Sequence, residues 1–159
     1  MVVHPHLRSP DPRWMTGAPF RDSLELGAYD SAPGTARGHA RNVLAEWGLG
    51  QLRDVAELVI SELVTNSAQA TEAVGWPAGR PPIRLWLRGD PHRVCVLAWD
   101  AVAVLPVPRT VGEDEESGRG LAIVDALCAE WGCYEASEPL GGKVTWALTG
   151  APWRDQAPG

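Results

Sequence analysis

Cysteine is scarce in this sequence, acidic residues outnumber basic ones, and no long apolar run occurs. With 14 Lys and Arg against 20 Asp and Glu, the net charge is −6. This balance argues against a nucleic-acid-binding protein, because such a protein needs a basic surface to meet the phosphate backbone. No apolar run approaches the roughly 18 residues that a membrane-spanning helix requires. We therefore expect neither nucleic acid nor a membrane as a partner.

The three cysteines, Cys95, Cys128 and Cys133, are odd in number and lack the spacing of metal ligands. We expect buried, reduced thiols rather than a zinc site or a disulfide framework. Prolines, histidines and charged residues interrupt residues 4–12, so the N-terminus has no apolar core of a secretory signal. Together these observations predict a cytoplasmic protein.

The chain of 159 residues is long enough for one domain with a hydrophobic core. Residues 1–21 are rich in Pro, Arg and His without a hydrophobic period, which predicts a flexible N-terminal tail in which only Trp14 and Phe20 could dock locally. Residues 22–149 are predicted to form the folded domain. Residues 150–159 are predicted to form a polar C-terminal tail.

Hydrophobic periodicity predicts a strand, two helices, two strands, a third helix and two final strands. The predicted strands are 23–29, 83–88, 93–99, 132–136 and 143–148, and the predicted helices are 31–47, 51–74 and 121–130. The segment 100–117 has no period and is predicted to be a long loop. Antiparallel neighbours with helices on one face predict an α/β (α+β) two-layer sandwich with a mixed, mostly antiparallel sheet.

The longest predicted helix carries a carboxylate and an amide one turn apart, Glu62 and Asn66. Residues four apart share one helix surface, and both residues lie at or just beyond the edge of the apolar stripe. The pair could therefore face a cleft while the helix stays packed. A solvated Glu with an Asn tolerated late in a helix is the plainer alternative, because such pairs are common.

Three further features suit a ligand site. Asp100 follows a strand that is predicted to be buried, where a carboxylate could accept a hydrogen bond from an exocyclic amine such as that of adenine, or simply cap the strand end. Gly118-Arg119-Gly120 opens a helix, whose first N–H groups suit a phosphate; a flexible loop end is the alternative. Lys143 follows Gly141 and Gly142 and is most simply a solvated hairpin residue.

In their order and spacing these segments resemble the histidine-kinase-like ATPase domain of the Bergerat (GHKL) fold, especially the stand-alone anti-sigma-factor serine kinases of actinobacteria. The resemblance covers about residues 22–149. The segment Glu62-Leu63-Val64-Thr65-Asn66-Ser67-Ala68 resembles the family's N box, and Asp100 resembles its adenine-binding aspartate. Residues 118–125 resemble its glycine box, and residues 142–146 resemble its last hairpin.

This resemblance implies a protein that binds ATP and Mg²⁺. Asn66 would be the metal ligand, and Glu62 would be the catalytic general base that takes the proton from a substrate serine. Asp100 would bind adenine, and the loop 101–117 would be the lid. The other nucleotide-binding residues implied by the resemblance are Gly118, Arg119, Gly120, Leu121 and Lys143.

The implied function is that of a regulatory serine/threonine kinase that sequesters a sigma factor and phosphorylates an anti-sigma-factor antagonist, with a homodimer also implied. Two departures favour an alternative, a protein-interaction module on the same fold with a decayed nucleotide site. Val102 and Val104 replace the glycines that usually follow the aspartate, and Ala70 replaces a common histidine. A sensor histidine kinase fragment is disfavoured, since His39 lacks the expected acidic neighbour.

Overall fold

In the computed structural model, residues 7–76, 82–103 and 117–152 are described, with 117–120 described by their backbone alone. Within these ranges there are four helices and five strands. The helices are α1 (Pro12–Gly17), α2 (Ala32–Glu46), α3 (Arg53–Val74) and α4 (Ser117–Leu127), and the strands are β1 (Phe20–Leu26), β2 (Ile83–Asp90), β3 (Arg93–Asp100), β4 (Glu130–Glu135) and β5 (Lys143–Gly150).

The strands form one sheet in the order β1-β2-β3-β5-β4, and each neighbouring pair of strands is antiparallel. Outside the named strands, an isolated parallel bridge joins Leu7 to Cys133. The predicted α+β two-layer sandwich is therefore confirmed, and its named strands are all antiparallel rather than mixed. Alternation along each strand gives the sheet two apolar faces, of which one packs on α2, α3 and α4.

The longest helix, α3, packs on this first face because its apolar residues recur at spacings of three and four. Its buried residues are Ala56, Val59, Ile60, Leu63, Val64, Ser67 and Thr71. Leu52, just before α3, lies 3.3 Å from where a side chain on Gly150 would begin, at one end of the sheet. Trp76, just beyond α3, lies beside Gly27 at the other end. The helix therefore runs along the sheet toward the end where β3 finishes.

The second face of the sheet is covered by the N-terminal segment, contrary to the predicted tail. Trp14 on α1 is buried, and its indole Nε1 donates to Asp90 Oδ2 at 2.7 Å. The indole of Trp146 donates to the carbonyl oxygen of Arg8 at 2.8 Å. The prediction of a flexible tail is thus wrong for residues 7–21. Burial of a tryptophan-rich sheet face is favourable because it removes apolar surface from water. Contacts at Arg8 and Trp14 hold the segment on this face, despite the polar composition around them.

The observed helices and strands begin or end a few residues away from their predicted bounds. Phe20, expected at most to dock locally, starts β1 and stacks on Trp47 with ring centroids 5.3 Å apart. At the other end of the chain, Gly150 belongs to β5, and the backbone N–H of Ala151 donates to His92. The rest of the predicted C-terminal tail, 153–159, lies outside the described residues.

All three cysteines are free thiols, as predicted: Cys95 and Cys133 are buried and Cys128 is half-buried. Burial raises the pKa of Cys128 to about 12 and raises the pKa of Cys95 and Cys133 as well, so these thiols resist ionisation. Among the helices of the described ranges, none combines the length and the apolar character needed to cross a membrane.

Candidate functional site

One end of the sheet carries a continuous row of paired residues. Leu26 pairs with Ile83, Ile83 with Asp100, Asp100 with Lys143, and Lys143 with Glu135. Because side chains alternate along a strand, Asp100 lies on the same face as the core residues of β3 that meet α3. Within this row the carboxylate of Asp100 and the ammonium group of Lys143 are buried beneath the helix layer, whereas Glu135 at the end of the row is exposed.

Asp100 is wholly buried, and its two carboxylate oxygens have different surroundings. Oδ1 accepts hydrogen bonds from Lys143 Nζ at 2.7 Å and from the backbone N–H of Val102 at 3.0 Å. Oδ2 is buried and has no hydrogen-bond partner among the residues that the structure describes. An unpaired buried polar atom costs about 1–3 kcal/mol, so native structures retain few of them without a reason. Asp100 thus presents one unused acceptor inside the helix-facing layer.

Lys143 is buried beside Asp100, so its predicted solvated position is wrong. Its ammonium group also donates to the carbonyl oxygen of Val102 at 3.1 Å. The reason is register: β5 pairs with β3 so that Lys143 lies directly opposite Asp100, and the buried carboxylate compensates the cost of burying the lysine. The family resemblance implied a residue that contacts the nucleotide, whereas the structure places the lysine on the carboxylate.

The glycine that packs against Asp100, Gly142, immediately precedes the opposing strand β5. Gly142 has φ +72°, and a Cβ there would lie 2.1 Å from the carbonyl oxygen of Asp100. Only glycine fits such a position without moving the backbone. The family pattern has glycines soon after the aspartate, where this chain has Val102 instead. Gly142 stood out in the sequence only as part of a turn and a hairpin, and a register prediction for β5 would have been needed to place it here.

Thr145 is a second residue that the sequence prediction did not include. It is buried two residues beyond Lys143 on the same face of β5, and it pairs with Ala98 of β3. The signal was present in the alternation of residues 143–148, which puts Lys143 and Thr145 on one face of the strand. A buried threonine therefore follows Lys143 on the helix-facing side of β5.

Glu62 and Asn66 lie along one flank of α3 and are both half-buried. The other flank faces α2, where Arg37 donates to the hydroxyl of Ser61 at 2.7 Å. A helix turns by about 100° per residue, so Glu62 and Asn66 lie on the far side of the apolar stripe from Ser61. That flank is turned away from α2. Glu62 lies near the middle of α3, and Asn66 lies one turn closer to the Asp100 end of the sheet.

Burial raises the pKa of the Glu62 carboxyl above its ordinary value, because desolvation disfavours the charged form. A carboxyl group whose pKa is shifted toward neutrality is a better proton acceptor from a hydroxyl than an ordinary surface carboxylate. The described residues include no hydrogen bond or ion pair that engages the side chain of Glu62 or of Asn66.

The segment Gly118-Arg119-Gly120 forms the beginning of α4, as the predicted helix start implied. The backbones of Gly118, Arg119 and Gly120 lie in its first turn, and Leu121 is buried in the core shared with α3. Leu121 can therefore offer a ligand only its backbone, since its side chain is used for packing. The helix ends at Leu127, about three residues earlier than predicted, because β4 begins at Glu130. Most of the predicted lid, 104–116, lies outside the described residues.

No acidic residue adjoins His39 in the sequence, but an acidic side chain contacts it in the fold. Its Nε2 lies 2.5 Å from Asp22 Oδ2, although the two residues are 17 positions apart in the chain. Asp22 belongs to β1 and His39 to α2, so the pair joins the sheet to a helix. The sequence around His39 contains no sign of this contact, because the acidic partner comes from another element.

No protein-family model matches this chain, and no curated protein matches its sequence.

Proposed function

We propose that this protein binds ATP with Mg²⁺ and acts as a regulatory serine/threonine kinase of the anti-sigma-factor type. The observation that carries the proposal is the wholly buried Asp100, whose Oδ2 has no hydrogen-bond partner within the described part of the chain. An acceptor of this kind at the end of a strand, beneath the helix layer, fits the exocyclic amine of adenine.

Asp100 is also held in one orientation. Lys143 and the Val102 backbone N–H both bind Oδ1, which leaves Oδ2 as the open acceptor. A purine with an amino group at C6 would donate to Oδ2. A purine with a carbonyl group at that position would place two acceptors against each other, which is unfavourable in a buried site. The arrangement therefore favours adenine over guanine or hypoxanthine.

The remaining roles are those that the family resemblance implies for the other predicted residues. Asn66 would supply a carbonyl oxygen to Mg²⁺, which takes most of its other ligands from water and phosphate and offsets phosphate charge when bound. Glu62, one turn away, would accept the proton of a serine hydroxyl. The first N–H groups of α4 at Gly118, Arg119 and Gly120 would hold phosphate oxygens.

The regulatory part of the proposal rests on the family resemblance. A protein of this type acts in the cytoplasm, sequesters a sigma factor, and phosphorylates a serine on an anti-sigma-factor antagonist. Formation of a homodimer belongs to the same proposal. The acidic net charge of −6 is consistent with protein rather than nucleic-acid partners.

Base selectivity tests the nucleotide proposal with the unaltered chain. Calorimetry would compare Mg·ATP with Mg·ITP, which differs from it at C6. We expect ATP to bind roughly tenfold more tightly or better, since the mismatched base leaves a buried acceptor unpaired. Equal affinities, or no heat of binding at millimolar nucleotide, would contradict the proposal. An Asp100→Asn variant adds a second comparison, provided that a thermal melt shows it is folded.

A second candidate function is a protein-interaction module with a decayed nucleotide site. Lys143 favours it, because this residue already neutralises the carboxylate that would bind adenine. Val102, in place of a glycine, favours it as well. Transfer of labelled γ-phosphate from ATP to a candidate antagonist separates the two functions. Transfer that is lost in Glu62→Ala supports the kinase, whereas capture of a sigma factor without transfer supports the module.

A further inference from the structure

Two aromatic side chains are exposed together at the end of the sheet where β1 finishes. Tyr29 is 61% exposed and Trp76 is 46% exposed, and their rings meet edge to face with centroids 4.9 Å apart. Both rings lie against Gly27, where a Cβ would come within 2.5 Å of Tyr29 and 3.1 Å of Trp76. The glycine lets the pair lie close to the backbone. Tyrosine and tryptophan are the residues most enriched at the energetic centres of protein interfaces.

A small pocket opens beside this aromatic pair. It lies between the β1–α2 turn and the last turns of α3, has a volume of about 120 Å³, and is lined by residues that include Tyr29, Asp30, Ala68 and Glu72. Small-molecule sites usually enclose about 300–1,000 Å³, so a nucleotide would not fit here. The pocket has the size for one side chain of a protein partner.

The charge at this pocket is negative. Asp30 and Glu72 are exposed carboxylates, and neither forms an ion pair with another described residue. The start of α2 and the end of α3 both lie here, and their partial charges of about +0.5 and −0.5 largely cancel. Arg37 is a nearby cation on α2, but it donates to Ser61 and does not line the pocket. Two full negative charges therefore remain.

We propose that the surface formed by Tyr29, Asp30, Glu72 and Trp76 docks an arginine side chain of a partner protein. A guanidinium group is planar, so it can stack on an aromatic ring while its N–H groups bind a carboxylate in a forked arrangement. Lysine offers a point charge without this geometry. The aromatic pair and the two carboxylates together thus match arginine better than any other natural side chain.

This surface is separate from the candidate nucleotide site but lies at the same end of the sheet. Leu26 pairs with Ile83, which pairs with Asp100, so β1 and β3 are two strand spacings apart. At about 4.8 Å per spacing, Leu26 and Asp100 lie roughly 10 Å apart. The docking proposal does not depend on nucleotide binding, and its failure would leave that proposal untouched.

The test uses the full ¹⁵N-labelled chain and two short peptides, acetyl-Ala-Leu-Arg-Leu-Ala-amide and the same peptide with citrulline in place of arginine. Citrulline keeps the shape of arginine without its charge. We expect the arginine peptide to shift the indole N–H signal of Trp76 and the amide signal of Gln69 in a saturable manner. The citrulline peptide should bind roughly tenfold more weakly or not at all.

Two charge-matched variants complete the experiment. Asp30→Asn with Glu72→Gln removes the carboxylates of the surface, whereas Glu46→Gln with Asp54→Asn removes two exposed carboxylates at the other end of the sheet. We expect the first variant to weaken arginine-peptide binding by about tenfold and the second to leave it unchanged. Equal binding of both peptides, an equal loss in both variants, or shifts confined to other surfaces would overturn the proposal.

Discussion

Lys143 Nζ lies 2.7 Å from Asp100 Oδ1, and the two residues are direct cross-strand partners on β5 and β3. Both side chains are buried, so this ion pair lies in the layer between sheet and helices. It determines which oxygen of Asp100 remains open. The candidate site therefore depends on strand register as much as on the residues themselves.

Lys143→Met should destabilise the fold, because it leaves the buried Asp100 carboxylate without its counter-charge. Removing one member of a buried pair typically costs about 3–5 kcal/mol. Urea unfolding measures this loss. The double variant Asp100→Asn with Lys143→Met should lose less stability than the two single variants added together. A change in Lys143→Met below about 0.5 kcal/mol, as for an ordinary surface substitution, would show that the pair is not buried.

Gly142→Ala should destabilise the protein by about 1–3 kcal/mol or more, since its positive φ disfavours a side chain and its Cβ would meet the Asp100 carbonyl. Gly38 in α2 is the matched control. A Cβ added at Gly38 would have no neighbour within 4 Å, so Gly38→Ala should stabilise the helix by about 0.5–1 kcal/mol. Thermal melts of the two variants should shift in opposite directions. Shifts of the same sign would contradict the positive φ and close packing of Gly142 just before β5.

Glu62→Gln should change the pH dependence of stability. The folded state raises the pKa of Glu62 by desolvation, so it binds the proton more tightly than the unfolded chain does. Stability is then lost as pH rises from the unfolded value of 4.5 through the folded pKa. The glutamine variant should therefore be more stable than the natural protein at pH 7 and should lose this advantage below about pH 4.

Glu57→Gln is a control variant for which we expect the opposite dependence of stability on pH. Hydrogen bonds from Arg41 and Arg53 lower the pKa of Glu57, so its contribution is present above the unfolded pKa and is lost as pH falls. That variant should be less stable than the natural protein at pH 7. Urea titrations at several pH values decide both cases. If the two variants respond to pH in the same way, the burial of Glu62 is not the cause of its shift.

Trp14→Ala tests whether the N-terminal segment is part of the folded domain. The indole is buried on the second sheet face, so its removal should cost about 3–5 kcal/mol. Trp14→Phe keeps most of the apolar contact but removes the donor to Asp90, which should cost about 1.5–3 kcal/mol. Denaturant unfolding would compare the free energies of unfolding of the two variants. An alanine variant as stable as the natural protein would mean that the segment does not stabilise the domain.

The elements with strong local patterns could be predicted from the sequence. The period of α3, the alternation of β2 and the nearly continuous apolar run of β3 are all local patterns of adjacent residues, and the hairpin turn between the strands has its own turn residues. The predicted layer arrangement followed from these patterns. For the candidate site, the sequence predicted which residues take part but not how they contact one another. Each residue was recognised only because it lies in or next to a predicted helix or strand.

The remaining features depend on pairs of residues that are far apart in the chain. The Trp14–Asp90 hydrogen bond spans 76 positions and the Lys143–Asp100 pair spans 43. No local pattern encodes such a contact, because it is set by strand order and register. This is why Lys143 was expected in solvent and residues 7–21 were expected in a tail.

The hydrogen bond between Arg8 and Trp146 joins positions 138 apart. During synthesis, the segment that contains Arg8 and Trp14 leaves the ribosome long before β5 does. At that stage it has no complete sheet face to pack against. The tryptophan-rich face must stay uncovered until β5 has emerged. Contacts of such long sequence separation form slowly, so this layer should close last, and the nascent chain should be most prone to aggregation just before it does.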